Sequence, residues 1–97
     1  MREHVVEREL CNLCRAAGYW CVKLTVLGRR GFPDRMVLCP GGRIYFVECK
    51  RPGAFARATQ ALVHRTLRRL GFQVFVVDTP EAAADVVALI QAAGVRV

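Results

Sequence analysis

A short run of turn-forming residues sets how the most informative part of this chain pairs. Pro40–Gly42 separates two runs rich in apolar residues, 35–39 and 43–49, a pattern typical of an antiparallel β-hairpin. If the last residue of the first run pairs with the first residue of the second, counting outward brings Asp34 opposite Glu48. Cβ atoms of directly opposed residues lie about 4.5–5.5 Å apart. The sequence therefore predicts two carboxylates at one site, in a register that a one-residue slip would undo.

Lys50 belongs to the same predicted site. Strand side chains alternate between two faces, so Phe46, Glu48 and Lys50 share one face of the hairpin, while Val47 and Cys49 lie on the other. Two neighbouring carboxylates repel each other, and a divalent cation is the simplest compensation. Oxygen ligands, to which the backbone carbonyl of Cys49 can add, favour hard ions such as Mg²⁺, Mn²⁺ or Ca²⁺ over zinc or copper.

These groups suit metal-assisted hydrolysis of a phosphodiester. A bound metal polarises the phosphoryl oxygen and lowers the pKa of water, and Lys50 would orient that water or help to deprotonate it. The alternative is a surface hairpin in which Glu48 and Lys50 are ordinary solvated charges, because so short a motif often occurs by chance. The alignment with Asp34 favours the metal site.

Pro33-Asp34 followed by Glu48-Cys49-Lys50 resembles the Pro-Asp…Glu-x-Lys signature of the PD-(D/E)XK nuclease superfamily. Nearly the whole chain, from Arg2 to about Leu89, further resembles the small stand-alone VRR-NUC members found in phages and bacteria. The features that carry this resemblance are Glu7 in an opening helix, the Gly28-Arg29-Arg30-Gly31 loop, the Pro-Gly-Gly turn, the Lys50-Arg51-Pro52-Gly53 exit, Gln60 in the next helix and the Leu70-Gly71-Phe72 step. The family commonly has Leu at position 49, which matters little if only the backbone carbonyl binds.

The resemblance implies a single nuclease domain over residues 1–97 with a restriction-endonuclease-like α/β fold. Its four-stranded mixed sheet would be flanked by helices, in the order αβββαβα. The implied activity is that of a metal-dependent deoxyribonuclease using Mg²⁺ or Mn²⁺. The implied catalytic residues are Glu7, Asp34, Glu48, Lys50 and Gln60, with the metal held by Asp34, Glu48, the carbonyl of Cys49 and, directly or through water, Glu7.

The remaining patterns agree with that order. Apolar stripes at helical spacing predict helices over 3–17 and 57–70, and strand-like runs occupy 19–26 and 72–77. The second run is apolar apart from Gln73, as in a sheet covered on both faces. Thr79 predicts the cap of a last helix. The residues expected to face the core are Val63, Leu67 and Leu70 in the second helix, with Leu62 beside them, and Val86, Leu89, Ile90 and Ala93 in the last. Glu7 borders the stripe of the first helix; taken alone it reads as a surface charge, and Glu3 is its competitor.

The charge favours a polyanion as partner. Fifteen Lys and Arg against eight Asp and Glu give a net charge of +7, a surplus that attracts nucleic acid but does not by itself separate DNA from RNA or an anionic membrane. The residues expected to contact phosphates are Arg29, Arg30, Arg51, Arg57, His64 and Arg68. A solvated loop and a solvated helix face are the alternatives for these groups.

A basic domain of this size offers little surface for reading bases, so cleavage of branched DNA such as a four-way junction is the expected selectivity. Stand-alone relatives suggest a homodimer that makes two cuts. No run approaches the roughly 20 apolar residues of a membrane span and the N-terminus has no apolar signal core, so the expected location is the cytoplasm of a bacterial or phage-infected cell.

Two other functions remain open from the sequence. The first is a non-catalytic module that binds nucleic acid through the same basic surface. The second is a zinc or redox protein built on Cys11-x-x-Cys14 among five cysteines. No second Cys pair or paired His follows at zinc-finger spacing, which argues against the second.

Overall fold

Seven helices and strands, joined by short turns and two longer loops, make up residues 2–94, the part of the chain that the computed structural model describes. They are α1 (Glu3–Ala16), β1 (Trp20–Lys23), β2 (Arg35–Cys39), β3 (Arg43–Cys49), α2 (Ala58–Arg69), β4 (Gln73–Val77) and α3 (Pro80–Gly94). This is the predicted order αβββαβα, and both predicted hairpin strands have the predicted bounds. None of the helices in this part of the chain has the length and apolar character needed to cross a membrane.

The sheet is mixed and has the order β1-β2-β3-β4. β2 pairs antiparallel with β1 and with β3, whereas β4 lies parallel to β3. The hairpin register runs from Cys39 opposite Arg43 to Arg35 opposite Val47, as predicted. Gly41 and Gly42 make the turn with φ of 79° and 77°, values that residues with a Cβ rarely adopt. The turn chemistry therefore sets the register.

The two faces of β3 bury against different helices. Val47 and Cys49 pack with buried residues of α1 and α3, whereas Phe46 packs with Val63 and Leu67 of α2. The alternation predicted for the hairpin is confirmed. It directs Glu48 and Lys50 toward the α2 side of the sheet.

Several boundaries and core positions differ from expectation. β1 ends at Lys23 instead of residue 26, although the backbone N–H of Leu24 still donates to the carbonyl of Asp34 at 2.9 Å. Leu70 is 66% exposed and Leu89 58% exposed; the first lies at the end of α2, and α3 is rotated so that its buried residues are Ala83, Val86, Val87 and Ile90. Val76 is 44% exposed because β4 is an edge strand.

Gly31 is expected to be the least replaceable glycine of the loop before β2. Its φ is +96°, and an added Cβ would lie 2.6 Å from the backbone oxygen of Thr59. Gly31→Ala should lower the free energy of unfolding by about 2–5 kcal/mol, the sum of left-handed strain and overpacking. Chemical denaturation measures this loss.

Gly28→Ala is the matched control. Gly28 has φ +78° with nothing within 4 Å of an added Cβ, so its replacement should cost only about 1–2 kcal/mol. Equal losses for the two variants would contradict a close contact between this loop and the start of α2.

Candidate active site

Glu48 is the centre of the site. It is the penultimate residue of β3, and its side chain is among the most buried in the protein, at 1% exposure. Its Oε2 accepts a hydrogen bond of 3.1 Å from Gln60 Nε2 and lies 3.2 Å from Lys50 Nζ. Lys50 Nζ also donates to Gln60 Oε1 over 2.8 Å. The three side chains thus form a closed set of contacts between β3 and α2.

Gln60 is held in place from its own helix. It stands in the first turn of α2, where its Oε1 accepts the backbone N–H of Arg57 at 3.0 Å. The amide can therefore present only its Nε2 donor to Glu48, while Oε1 accepts from Lys50. The start of α2 therefore orients one member of the site, and the catalytic role implied for Gln60 stays a prediction.

Asp34 completes the acidic pair. It lies one residue before β2, and the observed register brings it opposite Glu48. Its Oδ2 accepts the backbone N–H of Cys49 at 2.9 Å, which ties it to the end of β3. Burial, followed by the charge of Asp34, raises the pKa of Glu48 to about 7. The two carboxylates are therefore electrostatically coupled, as the hairpin argument predicted.

The residues present fit a hard divalent cation. Glu48 Oε1 is buried and has no hydrogen-bond partner among residues 2–94, and a buried carboxylate oxygen without a partner is costly. Lys50 is paired with the other oxygen of Glu48, and a further positive charge would stabilise the two carboxylates. Carboxylate and carbonyl oxygens suit Mg²⁺ or Mn²⁺. Within residues 2–94 no three His, Cys, Asp or Glu side chains form a group that could hold a metal, so the fit rests on two carboxylates with backbone and solvent oxygens.

Glu7 makes contacts that the sequence did not suggest. Its Oε2 accepts from Arg35 Nε at 2.6 Å and from Lys23 Nζ at 3.0 Å. Burial raises the pKa of Glu7, but the hydrogen bonds from Lys23 and Arg35 outweigh it, and the net shift is downward. Lys23 and Arg35 are directly opposed across β1 and β2, and like charges there repel. This opposed pair of cations is the sequence feature that could have indicated an acid between them. The contact of Glu7 with a metal stays a prediction.

His64 is not on the exposed cationic face where it was expected. It is 2% exposed, and its Nε2 lies 3.9 Å from Glu48 Oε1. It follows Gln60 by one helical turn, so both side chains face the sheet. Burial, and then the charges of Arg68 and Lys50, lower the pKa of His64. The expectation that it contacts phosphates at the surface is therefore wrong in its placement.

Within residues 2–94, the arginines expected to contact phosphates differ in whether their side chains already make a hydrogen bond. Arg29, Arg30, Arg51 and Arg57 are all exposed, on the two loops that precede Asp34 and follow Lys50. Gly31 packs against Thr59, so both loops meet at the start of α2, beside Gln60. Arg68 is also exposed at its surface, but one of its terminal N–H groups donates to the carbonyl of Val74 at 2.7 Å. The free guanidinium groups therefore lie in loops that adjoin the acidic pair.

The cysteines lie apart from the acidic pair except for Cys49. Cys11 and Cys21 bring their Sγ atoms within 3.5 Å, between α1 and β1. Burial raises the pKa of Cys11 to about 11, which disfavours the thiolate needed for metal binding or redox exchange. Cys14 is buried in the core cluster with Cys39 and Cys49. The side chain of Cys49 faces that core, so only its backbone adjoins the site.

Comparison with known proteins identifies relatives over nearly the whole chain. No family model matches it. The chain is 40% identical over 84 residues to "Putative nuclease p44" of Acyrthosiphon pisum secondary endosymbiont phage 1, across 87% of this chain and 90% of that protein. It is also similar to a solved structure described as "VRR_NUC domain", with a TM-score of 0.83 and 31% identity, across 89% of this chain and 94% of the other.

Metal-free protein is expected to lose stability as pH rises from about 4.5 to about 7, the ordinary and the folded pKa of Glu48. Its pKa is raised on folding, so above that window the folded state carries a buried carboxylate that the unfolded chain can hydrate. Glu48→Gln should flatten this slope and raise the free energy of unfolding at mildly alkaline pH by roughly 1–3 kcal/mol. Denaturant titrations in chelator measure both effects.

Asp85→Asn, at an exposed position of α3, is the control and should leave the slope unchanged. A Glu48→Gln variant with the wild-type pH slope would contradict the raised pKa.

Proposed function

The chain belongs to the VRR-NUC family of nucleases, and on that premise we propose that it is a divalent-metal-dependent endonuclease that hydrolyses phosphodiester bonds in DNA. The observation that carries this proposal is the buried carboxylate of Glu48, with Oε1 unpartnered, Asp34 opposite it and Lys50 Nζ 3.2 Å from its other oxygen. A binding module has no need to bury such a group. The family relationship supplies the reaction class, and this arrangement supplies the chemistry.

Asp34 and Glu48 would hold Mg²⁺ or Mn²⁺, with the backbone carbonyl of Cys49 as a further oxygen. When bound, the ion polarises the phosphoryl oxygen and lowers the pKa of a bound water. Glu7 is proposed to act at the margin of this site through a water. Its ion pairs with Lys23 and Arg35 keep it ionised, which suits an acceptor of a hydrogen bond from a metal-bound water.

Lys50 would position the attacking water. Its ammonium has three N–H donors; one is used on Gln60 Oε1 and a second on Glu48 Oε2. The remaining donor is available to a water or to a phosphate oxygen. Because Gln60 is itself fixed by the N–H of Arg57, the direction of the ammonium is set before substrate binds, and preorganised charge of this kind stabilises a transition state without reorganisation.

The exposed arginines would hold the DNA backbone. Arg29 and Arg30 lie in the loop before Asp34, and Arg51 and Arg57 lie in the loop after Lys50, so substrate phosphates would be gripped on both sides of the acids. Arg68 can add to them with the donors not used on Val74. Phosphate contacts position DNA but do not read its sequence. This supports selectivity for DNA structure, with a four-way junction as the proposed substrate.

A homodimer is the proposed acting form, since two cuts in a symmetric junction need two such sites related by a two-fold axis. The proposed location is the cytoplasm of a bacterial or phage-infected cell. Each copy would act through the one domain proposed for residues 1–97.

Lys50→Ala is expected to reduce the cleavage rate by two or more orders of magnitude, about the contribution of one positioned charge in a site that excludes water. The DNA affinity should stay within a few-fold of wild type. Single-turnover cleavage and fluorescence anisotropy in Ca²⁺ measure the two quantities. Arg15→Ala, which removes one exposed positive charge from the last turn of α1, controls for net charge and should retain cleavage. Equal loss of affinity and cleavage in Lys50→Ala would contradict the role given to the ammonium.

Cleavage is expected to require Mg²⁺ or Mn²⁺ and to stop in chelator, with four-way junctions cut faster than flap, linear duplex or single-stranded DNA. One set of time courses on these four substrates and on a matched RNA measures both properties. DNA binding without cuts in either metal would instead support a non-catalytic nucleic-acid-binding module. Equal rates on junction and linear duplex would remove structural selectivity and leave the nuclease proposal in place.

A further inference from the structure

Two buried polar atoms face each other in the site, and neither has a hydrogen-bond partner in the described part of the chain, residues 2–94. They are Glu48 Oε1 and His64 Nε2, 3.9 Å apart, on side chains that are 1% and 2% exposed. Native proteins leave very few such atoms unpaired. A Leu at position 64 would fill the space without burying an unpaired nitrogen. The buried imidazole therefore lowers the folding stability.

The placement follows from the helix. His64 is four residues after Gln60, so the two side chains project from the same face of α2. Gln60 reaches Glu48 Oε2, and His64 is directed at the other oxygen of the same carboxylate. One face of α2 therefore carries a side chain directed at each carboxylate oxygen of Glu48.

We propose that His64 is a positioning residue for Glu48, whose imidazole donates a hydrogen bond from Nε2 to Oε1 in the substrate-bound site. An ionised carboxylate only accepts hydrogen bonds, so the imidazole must carry its proton on Nε2. The donor and acceptor need to approach by about 1 Å to reach ordinary hydrogen-bond length. Each carboxylate oxygen has two lone pairs, so Oε1 keeps one for an ion.

The charges around His64 are of both signs: Arg68 and Lys50 disfavour the imidazolium, whereas Asp34 and the ionised carboxylate of Glu48, 3.9 Å away, favour it. With a proton on Nε2 the ring donates to Oε1 whether or not Nδ1 is also protonated, so the contact is set by the direction of Nε2. With Lys50 and Gln60 on Oε2 and His64 on Oε1, the plane of the carboxylate would be fixed from three directions.

The inference deepens the proposed function and rests on it for its kinetic consequence. Groups that orient a metal ligand typically contribute 10–100-fold to metal affinity or activity. His64→Leu should therefore weaken Mn²⁺ binding and lower kcat by about 10- to 100-fold, with KM for DNA unchanged because the buried His64 is not among the groups proposed to hold phosphates. His64→Gln should retain most of both, since its amide also donates.

Histidine-labelled, metal-free protein gives a readout that does not depend on cleavage. Long-range ¹H–¹⁵N correlation spectra at mildly alkaline pH should show a proton on Nε2 of His64. A ring protonated on Nδ1 alone would place two acceptors against each other and overturn the proposal. The exposed His4 provides the reference signal.

Mn²⁺ titrations followed by electron paramagnetic resonance compare wild type, His64→Gln, His64→Leu and the control His4→Leu. Wild-type affinity in His64→Leu, or equal loss in His64→Gln and His64→Leu, would overturn the proposal. Thermal unfolding checks that each variant folds; if His64→Leu does not, the spectra of wild type and the affinity of His64→Gln decide. If Lys50→Ala cleaves like wild type, the nuclease mechanism fails, while the proton on His64 Nε2 remains a separate result.

Discussion

The cross-strand register between β2 and β3 is the constraint on which the site depends. Because Cys39 pairs with Arg43 and Arg35 with Val47, the next position outward brings Asp34 to Glu48. A slip by one residue would turn Glu48 toward the α1 and α3 side, into the apolar cluster that contains Val47. The two glycines of the turn, both with positive φ, favour one register. This local backbone preference therefore brings the carboxylates of Asp34 and Glu48 together.

Burial makes the proximity of those two carboxylates energetically important. A surface pair of carboxylates would be separated by water and screened by salt, whereas Glu48 lies beneath α2 at 1% exposure. Its pKa is raised by burial and by Asp34, and Lys50 and Gln60 satisfy only one of its oxygens. The protein holds an acid in an environment that disfavours its charge. Sites of this kind reduce folding stability and are expected where a ligand of opposite charge will bind.

The two helical layers have different tasks at the site. α2 supplies Gln60 and His64 from one face, and its start contacts Gly31 of the preceding loop. α1 supplies Glu7, which joins the opposed cations Lys23 and Arg35 of β1 and β2. Glu7 is thus balanced by neighbours on the sheet, whereas Glu48 is left partly unbalanced. The imbalance is confined to the position where a cation would act.

The sequence by itself determined the order of elements, the bounds of the hairpin, the face of each β3 side chain and the convergence of Asp34, Glu48 and Lys50. These follow from turn chemistry and from the two-residue period of a strand, which adjacent residues dictate. Only the tertiary structure decided that Glu7 binds Lys23 and Arg35, that His64 is buried against Glu48, and that Leu70 and Leu89 face solvent. Those outcomes depend on how each helix is rotated and where it ends against the sheet, and that rotation is set by packing between segments distant in the chain.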